Sequence, residues 1–94
     1  MAYRVVWSRR ASHDLEAIAD SIAADSPAYA GIVVKKAVNQ VRMLSKFPRS
    51  GRQVPEFDNA NIRELLVYSY RVLYRLEGDQ IVITAVIHGK QLLE

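Results

Sequence analysis

The chain has 94 residues, half of them apolar, with 13 Lys and Arg against 10 Asp and Glu, a net charge of +3 and no cysteine. That apolar content supports one small core and excludes a disordered chain. The lack of cysteine excludes a thiol nucleophile, a disulfide framework and cysteine-ligated zinc. No stretch approaches the roughly 20 apolar residues needed to span a bilayer. In MAYRVVWSRR the basic pair follows a very short apolar run, which is not the order of a secretion signal, so one soluble domain over residues 1–94 in the cytoplasm is expected.

Tyr3 to Trp7 reads as a short strand by its Val-Val-Trp content. Ser8 then fits the N-cap of a helix in which Leu15, Ile18, Ala19 and Ile22 recur at helical spacing, fading near Asp25. Ser26-Pro27 restarts a helix, with Pro27 at a first position where its missing N–H costs nothing. Ala30, Val34, Ala37, Val41 and Leu44 form its apolar stripe, flanked by Val33 and Val38. Phe47-Pro48 closes it, because proline disfavours α geometry at the preceding residue. Arg49 to Ala60, with Gly51, Pro55 and Asn59, reads as a loop.

From Ile62 three short strands follow. Val72, Tyr74 and Leu76 share one face of the middle strand, and Arg71, Leu73 and Arg75 the other. In the last strand Ile81, Ile83, Ala85 and Ile87 alternate with Val82, Thr84, Val86 and His88. Glu77-Gly78-Asp79-Gln80 joins the two as a hairpin, with Gly78 free to take φ > 0. The sum is an α+β domain of order βααβββ, a two-helix hairpin packed on one face of a small, mainly antiparallel sheet. Two helices cover only one face. The other carries arginines, Thr84 and His88 among Leu73, Val82 and Val86. That mixture is too apolar for bare water and too charged for a core, and it suits a partner segment, the alternative being cover from Arg49 to Ala60.

Charge is unevenly spread. Ala11 to Val34 holds four acids (Asp14, Glu16, Asp20, Asp25) and no Lys or Arg, whereas Lys35 to Arg52 holds six bases and no acid. Such a block favours a polyanion or an acidic partner, against the plain alternative of a solvated helix face. Metal chemistry lacks ligands, with two histidines about 75 positions apart. The glycines at 31, 51, 78 and 89 are too scattered for a phosphate loop, and no cofactor is expected. DNA reading by a helix would rest on Asn39 and Gln40 alone.

The YRVLY segment, the short hairpin and the I-x-I-x-x-V-x-HG-K ending, in this element order and with FPRSGR after the second helix, resemble the RelE/ParE superfamily of toxins from bacterial type II toxin–antitoxin modules. The HG-K ending resembles the ParE-like branch. That resemblance implies a non-enzymatic poison of DNA gyrase, contacting the DNA-cleaving subunit of that enzyme and acting in plasmid stabilisation and growth inhibition. It implies neutralisation by a cognate antitoxin in a hetero-oligomer that binds operator DNA through the antitoxin. The target-contact candidates are Arg49, Arg52, Arg71, His88 and Lys90, and those for the antitoxin are Leu73, Arg75, Val82, Thr84 and Val86, together with parts of both helices.

The alternative is a ribosome-dependent mRNA interferase. Cleavage through a 2′-hydroxyl needs a base, an acid and cations for the developing phosphorane charge. By position Arg71 matches the arginine with which such enzymes hold phosphate, Arg63 lies near a second basic position, and His88 offers an imidazole for proton transfer. The pattern is incomplete: a further base is replaced by Leu65, the arginine after Gly-Lys is Gln91, and the sequence ends at Glu94, before a catalytic tyrosine would appear. Arg71 has a second possible role, as a structural ion pair with Glu64 or Glu77.

Overall fold

The computed structural model describes residues 2–91. The C-terminal end at Glu94 lies outside the described residues. The elements are β1 (Arg4–Trp7), α1 (Arg9–Ala23), α2 (Pro27–Met43), β2 (Arg52–Gln53), β3 (Ile62–Val67), β4 (Tyr70–Glu77) and β5 (Gln80–His88). The expected order stands, with one addition: the loop after α2 carries a two-residue strand, β2, paired to β3. The five strands lie in the order β1-β5-β4-β3-β2. β1 runs parallel to β5, and the other pairs are antiparallel.

Both helix starts follow the sequence. The Ser8 hydroxyl accepts from the Ala11 N–H at 3.0 Å, and Ser26 accepts from Tyr29 at 3.2 Å, with Pro27 in the first turn. Each satisfies a backbone donor that a helix terminus leaves without a partner. On α2 the buried stripe runs through Ala30, Val33, Ala37 and Val41 to Leu44, so Val33 rather than Val34 is the buried valine of this turn. Ala11 of α1, Ala37 and Val41 of α2 and its C-cap Leu44 meet Val67, Val72, Tyr74, Ile81, Ile83 and Val86 in the main core.

The alternation expected along β5 fails at Thr84. Leu73 pairs with Ala85 and Tyr74 with Ile83, leaving Thr84 as the extra residue of a β-bulge. One added residue reverses every later side chain. Val86 therefore joins Ile81 and Ile83 beneath the helices, while Ala85 and Ile87 turn to the opposite face. The polar groups freed by the bulge find partners on α1 and its cap: the Ser8 hydroxyl donates to the Thr84 carbonyl at 3.2 Å, and the Val86 N–H donates to the Asp14 carboxylate at 3.0 Å.

The face away from the helices is largely self-covered. Val54 and Phe57 of the loop pack onto Leu73, Ala85, Ile87 and Ile62, with Val54 fully buried. The face is closed by the chain's own loop, as the alternative reading had it, and Leu73, Val82 and Val86 are all buried within the monomer.

Tyr74 anchors the start of that loop. Its hydroxyl donates to the Pro48 carbonyl at 2.9 Å and accepts from the Gly51 N–H at 3.0 Å. The approach is close enough that a Cβ on Gly51 would lie 2.5 Å from the Tyr74 oxygen and 2.6 Å from the Glu64 carbonyl, so only glycine fits. Burial pushes the Tyr74 phenol above the ordinary tyrosine range. The native chain thus keeps this proton after the unfolded chain has lost it, and folding stability should fall as pH rises past about 10. Tyr74→Phe should flatten that slope. At neutral pH it should cost about 1–3 kcal/mol, because the Pro48 carbonyl and Gly51 N–H lose their partner. Urea unfolding from pH 7 to 11 measures both effects.

Candidate functional site

At the end of the sheet, the β3–β4 turn and the exit of β5 enclose a cleft of about 310 Å³ lined by Arg52, Leu66, Tyr68, Ser69, Tyr70, Arg71, His88, Gly89 and Lys90. Pairing of Val67 with Tyr70 leaves Tyr68 and Ser69 as a two-residue turn. Tight hairpins of this kind need φ > 0, which glycine or asparagine supplies without strain. Here Tyr68 supplies it, at φ 52°. A bulky residue held so is strained by about 1–3 kcal/mol, a feature that gathers at functional sites. The turn also fixes the chain beyond β5, since the Ser69 carbonyl accepts from the Gly89 N–H at 2.6 Å.

Arg71 does not present its charge to the cleft unpaired. Its Nε donates to Glu64 Oε1 at 2.5 Å, and its two terminal nitrogens donate to the two oxygens of Glu56 at 2.8 Å each. Nη1 also donates to the Gln91 carbonyl at 3.0 Å. The side chains of Arg71 and Glu64 are 5% and 0% exposed, so the pair is desolvated. The other oxygen of Glu64 accepts from Arg52 Nε at 2.5 Å. Two arginines and two carboxylates thus cancel in one network. The hydrogen bonds from Glu56 do most to raise the Arg71 pKa. Burial opposes them, Glu64 adds to them, and the balance holds the guanidinium more firmly protonated than usual.

Of the five target-contact candidates, the cleft collects Arg52, Arg71, His88 and Lys90. Arg49 lies apart, with one terminal nitrogen on the Asn61 side chain at 3.2 Å. Of the interferase candidates, Arg71 and His88 share the cleft and Arg63 does not. Arg63 turns back on the loop, donating to the Ala60 carbonyl at 2.9 Å and the Gly51 carbonyl at 2.8 Å. It is a loop clamp. His88 is exposed and edge-on to Tyr70, with ring centroids 5.8 Å apart, and its Nδ1 accepts from the Lys90 N–H at 3.3 Å. Among the antitoxin candidates, Arg75 is exposed and pairs with Glu77, and Thr84 is half-buried at the bulge.

Two roles escaped the sequence, those of Glu56 and of the Tyr68-Ser69 turn. Glu56 sits in a loop whose path no periodicity reveals, while Glu77, weighed as an Arg71 partner, serves Arg75 instead. Tyr68-Ser69 occupies a turn between alternating runs without the usual Asn-Gly signal. No group of three or more His, Cys, Asp or Glu among the described residues is placed to hold a metal ion.

Residues 5–93 match the family model described as the ParE toxin of the type II toxin–antitoxin system, parDE. The chain belongs to the ParE toxin family. Toxin ParE3 of Caulobacter vibrioides is 30% identical over 95 residues, covering 96% of this chain and 90% of that protein. The chromosomal ParDE toxin–antitoxin system of P. aeruginosa supplies a solved chain of the same fold, with TM-score 0.76 and 26% identity over 93% of this chain and 96% of that one. A chain of the RelBE2 toxin–antitoxin complex of Mycobacterium tuberculosis superimposes at TM-score 0.59 with 26% identity, covering 94% and 99%. The resemblance drawn from YRVLY and the HG-K ending therefore holds, and this is a type II toxin of the ParE family.

The network gives a direct test within this ParE-family chain. Glu64→Ala leaves Arg71 with Glu56 and the Gln91 carbonyl but strips its Nε of an acceptor, and should cost about 1.5–3 kcal/mol in urea unfolding. Arg52→Ala, removing a partner that is 58% exposed, should cost no more than about 1 kcal/mol.

Proposed function

We propose that this toxin inhibits DNA gyrase, contacting its DNA-cleaving subunit through the cleft bounded by Arg52, His88 and Lys90. In this reading a cognate antitoxin neutralises it, and the complex binds operator DNA through the antitoxin. The observation that carries the choice is the state of Arg71. The guanidinium that an interferase of this superfamily would lay on phosphate is held by Glu56 and Glu64, and Arg63 is spent on loop carbonyls. A carboxylate pair already in place leaves little attraction for a third anion. What faces outward is a small surface of cationic and aromatic groups suited to protein contact, since Arg and Tyr are enriched where interfaces draw their energy. The names of the relatives support the toxin–antitoxin part of this reading, because ParE3 is called a toxin and the P. aeruginosa chain comes from a ParDE toxin–antitoxin system.

The interferase is the second reading, favoured by one observation: Arg71 and His88 line the same cleft. Both readings meet in one pair of assays. Purified toxin should inhibit gyrase supercoiling and accumulate cleaved DNA, and the antitoxin should reverse this. Lys90→Glu and His88→Ala should each weaken inhibition at least tenfold while the melting temperature stays within about 2 °C, since both residues are exposed. Absence of gyrase inhibition at micromolar toxin, together with transcript cleavage in a translating extract that His88→Ala abolishes, would replace the gyrase reading with the interferase.

A further inference from the structure

The four charges of the Arg71 network are not held alike. Glu64 is fixed on β3 with no exposed side chain, and its two oxygens accept from Arg71 Nε and Arg52 Nε. Glu56 comes from the irregular loop and keeps 16% of its side chain exposed. Both its oxygens meet the terminal fork of Arg71, one 2.8 Å from Nη1 and the other 2.8 Å from Nη2. In that bidentate geometry a guanidinium takes either a carboxylate or two oxygens of a phosphate. Glu56 also forms a wall of an open hollow of about 480 Å³, and Arg52 lines both that hollow and the cleft.

The loop has anchors of its own besides this carboxylate. Val54 is fully buried and packs with Phe57 on Leu73, Ala85 and Ile87. Arg63 ties the two ends of the loop together through the Gly51 and Ala60 carbonyls, and the Tyr74 hydroxyl holds the Gly51 N–H. Arg71 is likewise secured without Glu56, since Glu64 and the Gln91 carbonyl still accept from it. Take Glu56 away, and the Arg71 fork becomes an idle bidentate donor. Arg71 and Arg52 then face Glu64 alone, with His88 and Lys90 in the same cleft. Surplus positive charge around an unused guanidinium fork makes a seat for an oxyanion.

We propose that Glu56 is an internal occupant of an oxyanion seat on Arg71, and that it sets the selectivity of the cleft by excluding phosphate groups. The inference rests on the reading of this cleft as the target-contact surface. With the seat filled, Arg52, His88 and Lys90 remain for a protein partner, while a phosphate finds no free fork. A toxin that works beside gyrase-bound DNA would otherwise be drawn onto the phosphate backbone, whose charge dominates nucleic-acid binding.

The test is calorimetric titration of the purified toxin with inorganic phosphate. Glu56→Ala and Glu56→Ser each empty the seat, and circular dichroism reports whether they are folded. Each should bind phosphate at least tenfold more tightly than the wild type. Phosphate should also move the Arg71 Nε–H resonance in the NMR spectra of both variants and leave it in place in the wild type. Dimethyl phosphate, titrated alongside, tells a backbone diester from a free phosphate, and a gain for either supports the proposal. Unchanged affinity for both anions in the folded variants would overturn it. So would a gain that leaves the Arg71 resonance unmoved, by assigning the anion to other basic residues. Collapse of both variants would overturn it as well, by making Glu56 a counter-ion that the fold cannot lose. The gyrase reading stands or falls in the supercoiling assay, because the titration contains no gyrase.

Discussion

A carboxylate with no exposed surface must be neutralised where it stands, and Glu64 sets that requirement at the centre of this sheet. Removing such an ion from water costs several kcal/mol, which only close, well-oriented cations offset. Glu64 sits on β3, and its demand is met by Arg52 on β2 and Arg71 on β4. Arg71, buried in turn, recruits Glu56 from the loop and the Gln91 carbonyl from beyond β5. One buried charge thereby fixes two strands, the path of a loop and the end of the last strand. The two-residue β2 owes its position to the same arrangement, since Arg52 pairs in register with Glu64.

The Thr84 bulge is the second organising feature, and it shows what periodicity can and cannot reveal. Caps, element order and the Gly78 turn depend on residues close in sequence, and each is legible there: Ser8 and Ser26 cap as expected, and Gly78 takes φ 62°. Face assignment along β5 depends instead on an unbroken alternation of two. Thr84 breaks it without a glycine or any other local mark, so periodicity puts Val86 on the wrong face. The partners that stabilise the bulge, Ser8 and Asp14, lie more than 70 residues away. A single sequence shows no such contact.

The candidate site is legible in membership but not in wiring. Arg52, Arg71, His88 and Lys90 stand out in the sequence and do converge. Glu56 is one unranked carboxylate among several, because the 12 residues from Arg49 to Ala60 carry no period that predicts their fold over Leu73 and Ile87. Without that loop the far side of the sheet looks open, which is why the sequence alone directs part of the antitoxin there. On α2 the choice between Val33 and Val34 differs by a single step of about 100°, within the tolerance of any helical stripe. Yet it decides which residues remain outside, and the outward set contains Ile32 and Met43.

The place of β5 in the sheet has a consequence for how the toxin is made. It is the last strand in sequence among the described residues, yet it lies between β1 and β4 and is the neighbour to which β1 pairs. Ile81, Ile83 and Val86, which bind both helices to the sheet, all belong to it. A nascent chain that has emerged only as far as the hairpin has no strand to receive β1 and no floor beneath α1. Closure must wait until residues 80–88 leave the ribosome, because these sequence-distant pairings cannot form earlier. The cleft beside Tyr68 is then a product of completed synthesis. Translation that stops short of β5 should yield a chain that is harmless to its host and a substrate for proteases.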